Sequence, residues 1–185
     1  MPQAELAFIK IFNEIIESLN TILENDMNEM DKARVMRKIN SDAKMLMSMN
    51  KAYGLSLLGS IAGANGDIPK MHKNHQVSLK FNSDIVLSKN YAVSMRVCGL
   101  LKESYDYTKQ LLSKNQDDPT LVNLLATLSF DMGDEKRYRE HAEQYYIMTQ
   151  EKHPNWADFQ KEMNEIKELN KFCSSATAHA CMVGM

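Results

Sequence analysis

A chain of 185 residues, 44% hydrophobic and 25% charged, is long enough for one domain with an ample core or for one short repeat array. Twenty-two basic against 24 acidic residues give a formal charge of −2, which excludes the electrostatic footprint of a general nucleic-acid binder and leaves protein partners as the default. Three cysteines make no disulfide framework, and neither a membrane span nor a signal peptide is legible, so a cytoplasmic protein without membrane contact is expected.

Residues 3–24 read as an amphipathic helix. Leu6, Ile9, Phe12, Ile16, Leu19 and Leu23 follow the 3,4 spacing, and Phe8, Ile15 and Ile22 widen the stripe. A face this wide has to be buried, either against the rest of the chain or against a second copy. Asn25-Asp26 ends the helix. A second helix is predicted over 27–40 (Met27, Met30, Met36, Ile39), and Ser41-Asp42 offers an N-cap for a third that continues to Ala64. The spacing leaves open whether these are two helices or one kinked rod. Met27, Met30, Met36, Met45, Met47 and Met49 crowd this stretch. They suit either an irregular core, the expected use, or a surface that repacks around partners.

From Ala52 a pattern comes round three times. Gly66, Gly99 and Gly133 are spaced by 33 and 34 residues. Seven and eight positions before each stands a pair whose second member is small: Leu58-Gly59, Tyr91-Ala92, Leu125-Ala126. Thirteen positions after each stands Leu79, Leu112 or Tyr146. Glycine supplies the left-handed conformation that a helix C-cap needs, so each is read as the bend of a helical hairpin. In the first hairpin Tyr53, Leu55, Leu58 and Ile61 form helix A, and Ile68, Met71, His75, Leu79 and Phe81 form helix B. The second places its helices at 84–98 and 101–114. Asp118 as N-cap and Pro119 as first helical residue start the third, whose helix B carries Tyr138, Ala142, Tyr145 and Met148 and stops at His153-Pro154. Asn155 then caps a last helix with the stripe Trp156, Phe159, Met163, Ile166, Leu169 and Phe172, and the aperiodic tail 173–185 is expected to be disordered.

Residues 52–154 resemble the tetratricopeptide repeat family, with Leu58-Gly59…Gly66-Asp67 the fullest match. The resemblance implies an all-α fold: a TPR-like right-handed α-α superhelix of about nine helices. Three repeats would be flanked by an N-terminal helical segment (1–51) and a capping helix (155–172). It further implies that helix A of each repeat lines a concave groove, which places Tyr53, Ser56, Ser60 and Gly63, then Lys89, Val93 and Arg96, then Asn123, Thr127, Phe130 and Asp131 on a partner-binding face. At the positions where chaperone-adaptor members clamp a peptide carboxylate, this chain has Ser56, Ser60, Asn90, Thr120 and Leu124. Only the asparagine is kept, so chaperone C-termini are not the expected ligand. The chain also departs from the motif in helix B: the alanine position five after each glycine holds Met71, Ser104 and Tyr138. Counting back from Pro154 puts Ala142 there in the third repeat, which predicts a helix B longer by about one turn.

Residues that suggest chemistry have structural readings. His72 and His75 have a spacing that can serve a metal, but no third ligand stands nearby in sequence. Cys173, His179 and Cys181 match no common zinc spacing, and Cys98, with no histidine beside it, reads as a buried inert thiol. No catalytic residue, metal site or cofactor is therefore expected. The expected function is a non-enzymatic protein-binding scaffold (adaptor, chaperone or regulator) holding a partner peptide or helix in the groove. The layout is similar to that of small bacterial secretion chaperones. Lys89 and Arg96, seven apart on one face, would hold an acidic residue of that ligand or pair with Asp84 or Glu103. The alternative is a self-assembling helical protein that forms a homodimer through residues 6–23; an enzyme comes third.

Overall fold

The computed structural model describes residues 3–24 and 27–161, and its elements there are all helices. The chain divides into two compact units, residues 1–116 and 117–185. The first holds α1 (Gln3–Glu24), α2 (Glu29–Met49), α3 (Lys51–Ala64), α4 (Ile68–Phe81), α5 (Ile85–Val97) and α6 (Leu101–Lys114). The second holds α7 (Pro119–Asp131), α8 (Glu135–Thr149) and a further helical segment described over 156–161. Asn25-Asp26, the stripe positions Met163, Ile166, Leu169 and Phe172, and the tail 173–185 lie outside the described residues, as do the side chains of Leu6, Phe8, Ile9 and Leu23.

Capping chemistry sets most boundaries. Asp84, Asp118 and Asp134 each accept a backbone N–H of the first turn they precede, and Pro69 and Pro119 occupy early positions where no N–H is needed. One boundary differs from expectation. Ser41 and Asp42 lie inside α2, and the chain breaks instead at Asn50. Asn50 adopts an extended backbone, donates its N–H to Leu46 and accepts the Tyr53 N–H at 3.3 Å, so this one residue closes α2 and opens α3. The predicted segments 27–40 and 41–64 are thus two helices that meet nine residues later than the Ser-Asp signal suggested.

The three glycine bends have the same geometry. Gly66, Gly99 and Gly133 have φ of 74°, 76° and 68°. Their N–H groups bond to Gly63, Arg96 and Phe130, each at 2.9 Å, and the next N–H in each case bonds five residues back, to Ala62, Met95 and Ser129. This pair of bonds is the Schellman motif, which satisfies two carbonyls of the helix end while reversing the chain. Positions five and nine after each glycine are buried in all three hairpins: Met71 and His75, Ser104 and Thr108, Tyr138 and Ala142. Ala142 therefore corresponds to His75 and Thr108. The expected extra turn in the third helix B is absent: α8 has 15 residues against 14 in α4 and α6, and the added residues form the loop after Gln150.

In the first unit, Ile15, Leu19 and Ile22 of α1 pack with Met36, Ile39, Ala43 and Leu46 of α2 and with Leu57 and Ile61 of α3. Each Ile, Leu or Met burial among these contributes about 1.5–3 kcal/mol. Small residues let α3 meet its neighbours closely: a Cβ on Gly54 would collide with the Met47 backbone of α2. In the second unit Tyr138 sits at the centre of an aromatic cluster, with ring centroids 4.4 Å from Phe159 and 5.6 Å from Phe130. The bend glycines have open space around a virtual Cβ, so backbone strain alone governs their replacement. Gly66→Ala, Gly99→Ala and Gly133→Ala are each expected to cost about 1–2 kcal/mol in urea unfolding, with the corresponding asparagine variants costing less.

Candidate binding cavity between α1, α3 and α5

Helix α3 presents two different faces. Leu57 and Ile61 face α1 and α2, while Ser56, Gly59 and Gly63 face α4 and α5. A Cβ on Gly59 would lie 2.6 Å from Cδ2 of His75, so the glycine makes room for a buried imidazole. His75 is fully buried on α4. Its Nε2 lies 2.9 Å from Ser94 Oγ of α5, and its Nδ1 lies 3.5 Å from Ser56 Oγ of α3. Tyr91 stacks on the ring at 5.0 Å and reaches His72 Nδ1 through its hydroxyl at 2.7 Å.

Proton accounting fixes the roles. Ser94 donates its one hydroxyl proton to the Asn90 carbonyl at 2.7 Å, so it accepts from His75. The tautomer that satisfies the network carries its proton on Nε2. An imidazole that donates to a serine does not deprotonate it, and burial, followed by the charge of His72, pushes the His75 pKa down to about 3. The same geometry that resembles a Ser–His pair therefore works as a neutral cross-link between three helices. His72 and His75 are both engaged with Tyr91, and among the described residues no group of three His, Cys, Asp or Glu is placed to hold a metal. The Cys98 thiol donates to the Gly63 carbonyl at 3.6 Å, and burial raises its pKa.

Above this network lies a cavity of about 270 Å³. Ser60, Ala64, Asn90, Val93, Ser94 and Val97 form its floor and sides, and Ile16 and Leu19 of α1 close it from the N-terminal segment. Ser60 Oγ and Ser94 Oγ are 3.1 Å apart on the floor. Asn90 Nδ2 is buried without a hydrogen-bond partner. Such a donor costs about 1–3 kcal/mol until an acceptor reaches it.

The groove residues expected from sequence are distributed as follows. Ser60 and Val93 line the cavity, and Ser56 lies fully buried beneath it. Tyr53 donates to Asp84 Oδ2 at 3.0 Å and meets Phe12 edge-on, so it ties α1, α3 and the α5 cap together. Desolvation and Asp84 raise its pKa. Lys89 and Arg96 are half-buried and already engaged. In the second unit Asn123 and Thr127 hold the buried His153, whose Nε2 lies 3.3 Å from the Asn123 carbonyl and 3.2 Å from Thr127 Oγ1, while Phe130 packs on Tyr138. Sequence reasoning named Asn90 as the kept clamp position but not among the groove residues, and it missed Ser94 on the polar side and Ile16 and Leu19 as walls. Asn90 and Ser94 are one helical turn apart, which was the available signal; nothing local announced that α1 folds over them.

A second hollow, about 410 Å³, lies in the second unit beside Arg139, Glu143, Tyr146, Lys152 and Trp156. Its charges are mixed, and Arg139 is already held by Glu135 at 2.7 Å. No described helix is long and apolar enough to cross a membrane. Comparison with known proteins gives no match among family models, curated proteins or solved structures.

The depressed imidazole makes stability depend on pH. Below the ordinary histidine range the unfolded chain binds a proton that folded His75 refuses until about pH 3, so stability falls as pH drops from about 6.5 toward 3. The loss is expected to be on the order of 3–5 kcal/mol across that window. His153, also lowered chiefly by burial, adds to it in the same direction. Urea titrations at pH 7.5 and 5.0 should show a smaller pH effect in His75→Gln than in the parent chain.

Proposed function

We propose that this chain is a non-enzymatic, tetratricopeptide-like protein-binding scaffold that takes a side chain of a partner helix or peptide into the cavity between α1, α3 and α5. One observation carries the reading: the cavity joins apolar walls to an unsatisfied Asn90 donor. Ligand pockets for whole small molecules usually measure about 300–1,000 Å³. A space of about 270 Å³ suits one large apolar side chain better, with the donor available to that residue's backbone carbonyl. The three matching bends support a repeat origin for the hairpins.

The dimer reading draws less support, because Ile15, Leu19 and Ile22, part of the face it would use, are buried against α2 and α3. An enzymatic reading has little to build on when the buried histidine donates to its serine and carries so low a pKa.

The test is capture of partner proteins from a native lysate by the immobilised chain. Val93 is 42% exposed at the cavity, so Val93→Glu leaves the fold intact and puts an unpaired charge where an apolar group must enter. Recovery is expected to fall at least about tenfold, the equivalent of roughly 1.4 kcal/mol. Lys109→Glu, on the exposed surface of α6, should leave recovery unchanged. Equal recovery by both variants would reject the cavity.

A further inference from the structure

The outer face of α2 takes no part in the cavity, yet its composition is unlike the rest of the chain. Between Lys32 and Met49 the helix carries Lys32, Arg34, Arg37, Lys38 and Lys44 against the single acid Asp42. Glu29 and Asp31 sit in the first turn, where they complement the helix dipole. At 100° per residue, Arg34, Arg37, Lys38, Ser41, Lys44 and Ser48 share one face, and all are exposed. Its four cations run from Arg34 to Lys44, about 15 Å of helix. None has an ion-pair partner among the described residues, whereas Lys10, Lys102, Arg137 and Arg139 are each paired. Unpaired like charges one turn apart repel one another. A chain with a net charge of −2 therefore keeps a local excess of positive charge on one helix face.

Methionines lie among these cations. Met36 is core, but Met30, Met45 and Met49 are 79%, 47% and 48% exposed. The apolar stripe of α2 is already turned inward through Met36, Ile39, Ala43 and Leu46, so these three are surplus to the core. Methionine is flexible and polarizable, which suits it to contacts that adapt to a partner.

We propose that this face of α2 is a docking surface for an acidic amphipathic helix of a partner protein, a site separate from the α1–α3–α5 cavity. Carboxylates at three- and four-residue spacing would match the cations over about three turns, and apolar residues between them would cover the exposed methionines. Nucleic acid fits less well, because no aromatic side chain stands among the cations for a base to stack on. An anionic bilayer fits less well because the helix has spent its continuous apolar face on its own core.

The experiment measures fluorescence anisotropy of a labelled 14-residue amidated helix with glutamate at every third and fourth position and leucine between. The expected result is micromolar binding that weakens at least about tenfold between 50 and 300 mM salt. Replacing the four cations together (Arg34→Glu, Arg37→Glu, Lys38→Glu, Lys44→Glu) should abolish it, and the milder Arg34→Gln, Arg37→Gln, Lys38→Gln, Lys44→Gln set should weaken it at least about tenfold. Met45→Ala with Met49→Ala should weaken it a few-fold. Circular dichroism melting of each variant confirms the fold, and Val93→Glu should bind the probe normally, which separates this surface from the cavity. Absence of binding at 100 µM probe overturns the proposal. So does equal binding of a leucine-free glutamate 14-mer, binding that survives both charge sets, or binding of an oligouridine or of phosphatidylserine vesicles in place of the peptide.

Discussion

The arrangement of the first unit depends on one close approach, the imidazole of His75 seated where Gly59 has no side chain. Three helices meet at that ring: α4 supplies it, α3 gives it space and the Ser56 hydroxyl, and α5 stacks Tyr91 on it and accepts its proton at Ser94. A buried polar group is tolerable only when its hydrogen bonds are met, and a charged one would be far worse. The network meets that condition by holding the ring neutral. Because Ser56 and Ser94 each lie 19 residues from His75, on opposite sides of it in sequence, satisfying them fixes how the helices sit on one another as well as how tightly they pack.

The second unit solves the same problem with different residues. Tyr138 occupies the position of Met71 and Ser104, and its hydroxyl approaches His153 Nδ1 at 3.4 Å. That histidine comes from the loop after α8, so the residues added there bring an interior polar group back onto α7. The Thr127 hydroxyl and the Asn123 backbone carbonyl are consequently turned to an internal use. Equivalent helix-A positions in two hairpins thus serve an opening in one case and an anchor in the other.

The two proposed surfaces of the first unit also differ in physical kind. The cavity is small, closed on one side by Ile16 and Leu19 of the chain's own α1, and offers one buried donor, so the proposed binding there would select by shape and by a single hydrogen bond. The α2 face is open and charged, so the proposed docking there would work through long-range attraction and adaptable methionine contacts. Attraction of that kind governs encounter rate and partner choice more than depth of binding. A partner carrying both an acidic helix and an apolar anchor would gain from linkage of two weak contacts.

Local chemistry determined much of this protein directly from its residues. Gly66, Gly99 and Gly133 announced left-handed bends because only glycine adopts that conformation without strain, Asp84 and Asp118 mark helix starts by accepting the N–H two positions on, and Pro119 fits the first turn because no N–H is needed there. The Ser41-Asp42 signal misled because capping by a side chain competes with continuation of the helix, and buried Ile39, Ala43 and Leu46 favoured continuation through to Asn50. The use of each groove position was not legible at all. Ser56, Ser60, Asn123 and Thr127 are interchangeable polar residues on a helical wheel. Which became support, floor or anchor was settled by where His75 and His153 arrive from other elements, and by α1 folding over α3. Helices and bends were legible residue by residue, since they follow from neighbours within a turn. The cavity came only with the packing of the chain, because its walls are contributed by residues brought together from positions 16 to 97.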